Sequence, residues 1–256
     1  MSIHSTAIVS PKAKIGKNVD VGAFVIIDDD VVIGDNCTIA PRAHIEFTEM
    51  GENNYIGEGS MIGAAPQDLK YKNERTFVQI GKNNIIREYV SIHRSTHEGA
   101  ATVLGDSNFL LTMVHIAHDC VLGSRNIMIN NVGMSGHVTL HDNAVISGYS
   151  LIHQHVRIGS YVMMGGGSKI VKDVPPFMMI DGNPSEIHGL NKLGLKRNGF
   201  SPERIKILEH MYTHFFRDKS MIFADAVKKI EETIPLNDDV RYFLEFLKNS
   251  KRGLSR

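Results

Sequence analysis

From Leu104 to Ile170 every sixth residue is aliphatic or methionine: Leu104, Leu110, Ile116, Leu122, Met128, Met134, Leu140, Ile146, Ile152, Ile158, Met164 and Ile170. A helix repeats at about 3.6 residues and a strand at two, so neither explains this period. The same rhythm runs earlier through Ile3, Val9, Ile15, Val21, Ile27, Ile33, Ile39 and Ile45, then in shifted phase through Ile56 and Ile62 and through Ile80, Ile86 and Ile92. A second, smaller anchor often follows four residues later, as at Ala7, Val25, Cys37, Val114, Cys120 and Val132. Glycine often follows the large anchor directly (Gly16, Gly22, Gly34, Gly105, Gly123), which predicts a tight corner there. Each hexad is then one short strand and one corner, and such units stack into a solenoid with a ladder-like core.

This pattern resembles that of the left-handed parallel β-helix, in which three hexads make one triangular coil of eighteen residues. The resemblance alone supplies the handedness, since it runs against the usual right-handed crossover. The expected architecture is mainly β, with a β-helix domain over residues 1–182, loops near 63–79 and 93–102, and a C-terminal helical domain over 183–256. Asp173-Val174-Pro175-Pro176 and Gly182-Asn183-Pro184 end the ladder, because proline has no N–H to give it. Ser201-Pro202-Glu203 reads as a helix start, followed by an apolar stripe of Ile205, Leu208, Tyr212 and Phe215. Further helices are expected over Phe223–Ile234 and Asp238–Asn249, placed to cap the last coil.

The formal net charge is zero and there is no Trp, which argues against a nucleic-acid footprint or an aromatic carbohydrate platform. No apolar run is long enough to span a membrane, and Met1 to Ser10 lacks a signal-peptide pattern. A cytoplasmic setting is expected. Cys37 and Cys120 both fall on the small inward anchor and read as core thiols rather than a disulfide or metal pair.

The histidines concentrate the chemistry. Ile116, Met134 and Ile152 are eighteen apart and should stack, so His118, His137 and the run His153-Gln154-His155 project near one edge on three successive coils. A single histidine on such an edge is ordinarily a solvated group. A vertical cluster can supply a general base near neutral pH.

The run His115-Ile116-Ala117-His118-Asp119-Cys120, with Gln67-Asp68-Leu69-Lys70-Tyr71, Ile92-His93-Arg94, Gly136-His137-Val138, His153-Gln154 and Gly194-Leu195-Lys196-Arg197, resembles the acyl-carrier-protein:UDP-N-acetylglucosamine O-acyltransferase family of lipid A synthesis over nearly the whole chain. The resemblance implies transfer of a long 3-hydroxyacyl chain from acyl carrier protein to the sugar 3-hydroxyl, with no cofactor or metal. It makes His118 the general base, Asp119 its supporting carboxylate and the Gly136 N–H an oxyanion donor. Gln67, Asp68, Lys70, His115, His137, His153 and Gln154 correspond to sugar-nucleotide contacts, and Asn191 and Arg197 to residues near the nucleotide and diphosphate. Gly166 corresponds to the position that limits the acyl groove. A homotrimer with sites between subunits is implied too, and Lys192, Lys196, Arg197 and Arg204 offer a basic surface for the acidic carrier protein.

The chain departs from the family pattern at Leu193, where the best-known members carry Glu, and at Asn198, where they carry a second Arg. Fewer nucleotide contacts are expected, and the acceptor can be the UDP-sugar or its 3-amino analogue. Two other classes fit the repeats: a zinc hydratase of the γ-carbonic-anhydrase type with His93, His115 and His118 as ligands, and a structural prism without catalysis. An N-acyltransferase acting on the next glucosamine intermediate normally carries an extra N-terminal domain, whereas repeats here begin at Ile3.

Overall fold

The computed structural model describes residues 2–217 and 223–255. The hexads form a left-handed parallel β-helix whose three faces are sheets of eleven, nine and eight strands. Most strands are two residues long, such as His115–Ile116, Gly133–Met134 and Leu151–Ile152, which stack in register on the second face. Large anchors from all three faces fill one continuous column, with Ile62, Ile92, Leu110, Met128, Met134 and Ile146 fully buried. Both cysteines lie in this column as free thiols, and burial pushes the Cys120 thiol up to about 12.

The phase shift after Ile45 has a local cause. Ile33 pairs with Met50, so that coil is one residue short of eighteen. Two coils are longer: Ile62 pairs with Ile92 and Ile92 with Ile116. The extra residues leave as irregular segments over 65–76 and 94–100, shorter than expected, because Phe77–Ile80 and Ala101–Leu104 pair in the third face.

The corners differ from expectation in one respect. Left-handed backbone falls not on the glycine after each anchor but two residues later, on side-chain-bearing residues such as Asn18, Asn36, Asp119, His137 and His155. The glycines serve close stacking instead. A Cβ on Gly105 would lie 2.7 Å from the Gly123 carbonyl oxygen.

The small anchor at one corner is polar for four coils. Asn54, Asn84, Asn108 and Asn126 are buried, and each side-chain oxygen accepts the backbone N–H of the next coil, from Asn84, Asn108, Asn126 and Ala144. Buried amides are tolerated here because each oxygen satisfies a backbone N–H of the next coil, although the Asn126 Nδ2 is left without a partner among the described residues.

After Ile170 an antiparallel hairpin, Met178–Gly182 with Ser185–Leu190, extends the first face. Among the described residues four α-helices follow, α1 (Lys192–Arg197), α2 (Pro202–Tyr212), α3 (Phe223–Thr233) and α4 (Asp238–Lys248), with a π-helical turn over Thr213–Arg217 directly after α2. Ser201 caps α2 by accepting the Arg204 N–H, with Pro202 at the first turn. The helices share a second core around Phe177, Leu208, Met211, Ile230 and Phe243. The α4 residues Tyr242 and Phe246 lie on the flank, against His141, Ser160 and Arg157. Bridges from Ile158 to Val174 and from Asp173 to Leu254 close the edge of the third face. No helix among the described residues is long and apolar enough to cross a membrane.

Candidate active site

His118 and Asp119 follow the strand His115–Ile116 at the corner between the second and third faces. His118 Nδ1 lies 2.8 Å from Asp119 Oδ2, and both side chains are nearly buried. Burial works against the Asp119 charge, but hydrogen bonds from Ser95, His118 and Thr96 outweigh it and hold the carboxyl well below the usual carboxylate range. An ionised carboxylate only accepts, so a neutral His118 ring bonded to it carries its proton on Nδ1. That leaves Nε2 bare to take a proton from a bound group.

The coil registers set who meets whom. Gly136 and Gln154 stack above His118, whereas His137 and His155 stack above Asp119. The expected column is therefore split by one residue. His137 Nε2 approaches Asp119 Oδ2 at 3.6 Å and its ring stacks on His155 at 4.5 Å. A Cβ on Gly136 would lie 2.8 Å from His118 Nε2 and closer still to Cε1, so the missing side chain makes room for the ring. Corner N–H groups elsewhere are taken by side chains of the next coil: Lys17 by Asp35, Lys82 by Asp106 and Ser124 by Asp142. The Gly136 N–H has no acceptor among the described residues.

A cavity of about 500 Å³ opens beside this corner and crosses the second face toward Lys169 and Val171. It gathers Gln67, His115, His118, Gly136, His153 and Gln154. His115 Nδ1 meets Ser91 Oγ at 2.8 Å. Other predicted residues lie outside it. Asp68 accepts the Lys70 N–H, and Lys70 is exposed on the same loop beside a fully exposed Leu69. Gly166 sits at the opposite edge of the second face, where a Cβ would meet only the Gly148 carbonyl oxygen at 3.4 Å and Ser147 Cβ at 4.0 Å. Asn191 is the N-cap of α1, its Oδ1 accepting the Gly194 N–H and its Nδ2 donating to the Tyr161 carbonyl. Arg197 ends α1 and is exposed. Leu193 is exposed on the same helix, and Asn198 caps it through Gly194. Of the expected basic surface, Lys192 already pairs with Glu209 and Arg204 with Asp239. Lys196 and Arg197 have no ion-pair partner among the described residues.

Sequence reasoning found the second loop but gave no role to its Ser95 and Thr96. Ser91 pairs with His115, and continuing that register places Arg94 under His118 and Ser95 under Asp119. The 24-residue offset was the available signal. Arg94 is buried and turns away from His118, donating to the Gly63 carbonyl and to Tyr71 Oη and lying over Phe47. Among the described residues the donor atoms of His93, His115 and His118 do not converge within one chain. The donor atoms within 4.8 Å of one another are those of His118, Asp119 and His137, and Asp119 already accepts from Ser95, Thr96 and His118.

His93 lies beneath the site with its ring edge-on to His115 at 5.1 Å. Burial, then the like charge of His115, push its imidazole from 6.5 down to about 4. Between those values the unfolded chain binds a proton that the folded chain refuses, so stability falls as pH falls through that window, by about 3 kcal/mol at most. Denaturation midpoints should drop from neutral pH toward pH 4, and His93→Gln should flatten that slope. An unchanged slope in the variant would refute the assignment.

A coil of six-residue rungs with a His–Asp pair at the mouth of a cleft defines a hexapeptide-repeat transferase, and the family model for bacterial transferase hexapeptides matches residues 30–64. A second model, described as Udp N-acetylglucosamine O-acyltransferase, domain 2, matches residues 173–255. The acyl-(acyl-carrier-protein)–UDP-N-acetylglucosamine O-acyltransferase of Thermodesulfovibrio yellowstonii is 48% identical over 256 residues, covering 99% of each chain. The structure of UDP-N-acetylglucosamine acyltransferase from Bacteroides fragilis matches with a TM-score of 0.96 at 41% identity, covering 99% of this chain and 100% of that one. The structure of LpxA from Acinetobacter baumannii matches at 0.95 and 40%, covering 100% of both. The chain belongs to the acyl-(acyl-carrier-protein)–UDP-N-acetylglucosamine O-acyltransferase family.

Proposed function

We infer that this chain transfers a long 3-hydroxyacyl group from acyl carrier protein to the 3-hydroxyl of UDP-N-acetylglucosamine, in the first step of lipid A biosynthesis. The observation that carries the mechanism is the His118–Asp119 pair with Gly136 against the His118 ring, His118 and Gly136 both lining one cavity. His118 Nε2 takes the hydroxyl proton as the sugar oxygen attacks the thioester carbonyl. Asp119 stabilises the imidazolium so formed. The Gly136 N–H faces the charge developing on the carbonyl oxygen. Collapse of the tetrahedral intermediate breaks the C–S bond, and the departing thiolate recovers the proton from His118. Gln67, His115, His153 and Gln154 line the acceptor side of the cavity. Asn191 and Arg197 serve the nucleotide and diphosphate, Arg197 with a fork suited to phosphate.

The active form is a cytoplasmic homotrimer with clefts between subunits. Two observations support the assembly. The outward side chains of six successive rungs on the first face are Tyr55, Ile85, Phe109, Ile127, Val145 and Met163, with no charge among them. Such a face calls for a partner, and closed symmetry provides one. Asp68 and Lys70 do not line their own chain's cavity, as expected if they serve a neighbour's.

The test is an assay with 3-hydroxyacyl carrier proteins of graded length against UDP-N-acetylglucosamine and its 3-amino analogue. Ester formation with long chains is expected, with Gly166→Met shifting preference to shorter ones. The enzyme should sediment as three chains of 28.4 kDa. Transfer to the amine alone would overturn the acceptor, stoichiometric zinc required for activity would overturn the class, and a monomer active at full rate would overturn the shared cleft.

A further inference from the structure

The second loop has no role in the scheme above, yet its residues surround the Asp119 carboxylate. Ser95, fully buried, donates its hydroxyl to Oδ1. The Thr96 backbone N–H also reaches Oδ1, at 3.1 Å, and the Thr96 hydroxyl donates to Oδ2 at 2.7 Å. From the following strand, Thr102 Oγ1 accepts the Asp119 N–H at 2.8 Å, holding a residue whose backbone is left-handed at φ 59°.

Three imidazoles face this one carboxylate. His118 Nδ1 is 2.8 Å from Oδ2, His137 Nε2 is 3.6 Å from Oδ2, and His97 Nδ1 is 3.7 Å from Oδ1. A carboxylate free to turn about its side-chain bond could serve any of them. With Oδ1 fixed by Ser95 and Thr96, and Oδ2 tied to the Thr96 hydroxyl, the plane is set and Oδ2 presents its remaining acceptor direction to His118. That matters chemically because a neutral imidazole carries its proton on either nitrogen, and the hydrogen bond made by one nitrogen decides the state of the other. A proton on Nε2 would leave His118 unable to act as a base.

We propose that Ser95 and Thr96 are positioning residues that fix the Asp119 carboxylate toward His118 and so hold the base in its Nδ1–H tautomer. The loop is then part of the catalytic apparatus without touching substrate. The kinetic side of this inference rests on the acyl-transfer reading, whereas the tautomer side does not.

The experiment pairs ¹⁵N NMR of the His118 ring, at a pH where it is neutral, with steady-state kinetics. In the unsubstituted protein the shifts should report Nδ1–H. In the Ser95→Ala, Thr96→Val double variant the Nε2–H form should become populated. There kcat should fall about tenfold or more, as expected for misplacing a reacting group, with KM for the UDP-sugar changed by less than about twofold. Thr96→Ser, which keeps the hydroxyl, should behave as the unsubstituted protein. If the double variant does not fold, Thr96→Val alone gives the same readings at smaller amplitude. Unchanged ring shifts and unchanged kcat would overturn the proposal, as would a loss confined to KM or to melting temperature. If the unsubstituted protein transferred no acyl group, the acyl-transfer reading would fail, and the ring shifts alone would still decide the role of the loop.

Discussion

Replacing His118 with alanine is expected to lower kcat/KM for acyl transfer by about 10³-fold, within the range for removing a general base and equivalent to about 4 kcal/mol of transition-state stabilisation. The argument is one of proton bookkeeping. An alcohol is a much weaker acid than imidazolium, so attack on the thioester without a base must carry its proton into the tetrahedral intermediate. No other described group is placed to take over. His115 is engaged with Ser91, and its imidazole is pushed down by burial and by His118. His137 lies one register away, over the carboxylate. The fold should survive, because the side chain lies at a corner outside the apolar column. The check is a rate measurement beside a melting curve: unsubstituted activity in a folded His118→Ala protein would remove the base from the mechanism.

Gly136→Ala is expected to lower the rate by at least about 10²-fold, the scale of a misplaced reacting group, without loss of stability. Gly136 has no positive φ, so alanine is allowed by the backbone. Such a replacement removes freedom from the unfolded chain and can add about 0.4–1 kcal/mol. The new methyl group would instead occupy the space of the His118 ring edge that carries Nε2. Asp119 would still hold Nδ1, so the ring must tilt about that bond and Nε2 must leave its position in the cavity. Activity and stability therefore move in opposite directions. A parallel loss of both would mean that Gly136 matters for stacking rather than for the base, and full activity would show that the ring does not need its present place.

The period was plain in the sequence because burial of one large residue per rung leaves little choice of side chain. The histidine cluster followed from the same spacing, and the family motifs named the chemistry. What was hidden depended on position inside a rung. The shift of one residue between His118 and His137 is present in the spacing, and the pairing of His115 with Gly133 shows its consequence, with Gly136 stacked on His118 and His137 on Asp119. Asn54, Asn84, Asn108 and Asn126 escaped notice because polar residues at an inward anchor violate the hydropathy pattern that revealed the others. Ser95 and Thr96 lie in a loop whose path is set by contacts such as Arg94 with Gly63 and Tyr71, and a repeat rule has nothing to say about those. The six-residue helix α1 is too short for periodicity to mark, so the cap role of Asn191 is visible only in the structure.

The stacking of whole turns makes chain length a coarse adjustment screw. Duplicating one eighteen-residue turn between Gln154 and Gly166 would return every downstream side chain to its own edge and carry Gly166 about 4.8 Å farther along the axis from His118. Duplicating six residues would instead move Gly166 to the edge that carries His118, Gly136 and Gln154. On the proposed groove assignment, whole turns set reach coarsely, while finer selection falls to the size of the side chain at Gly166.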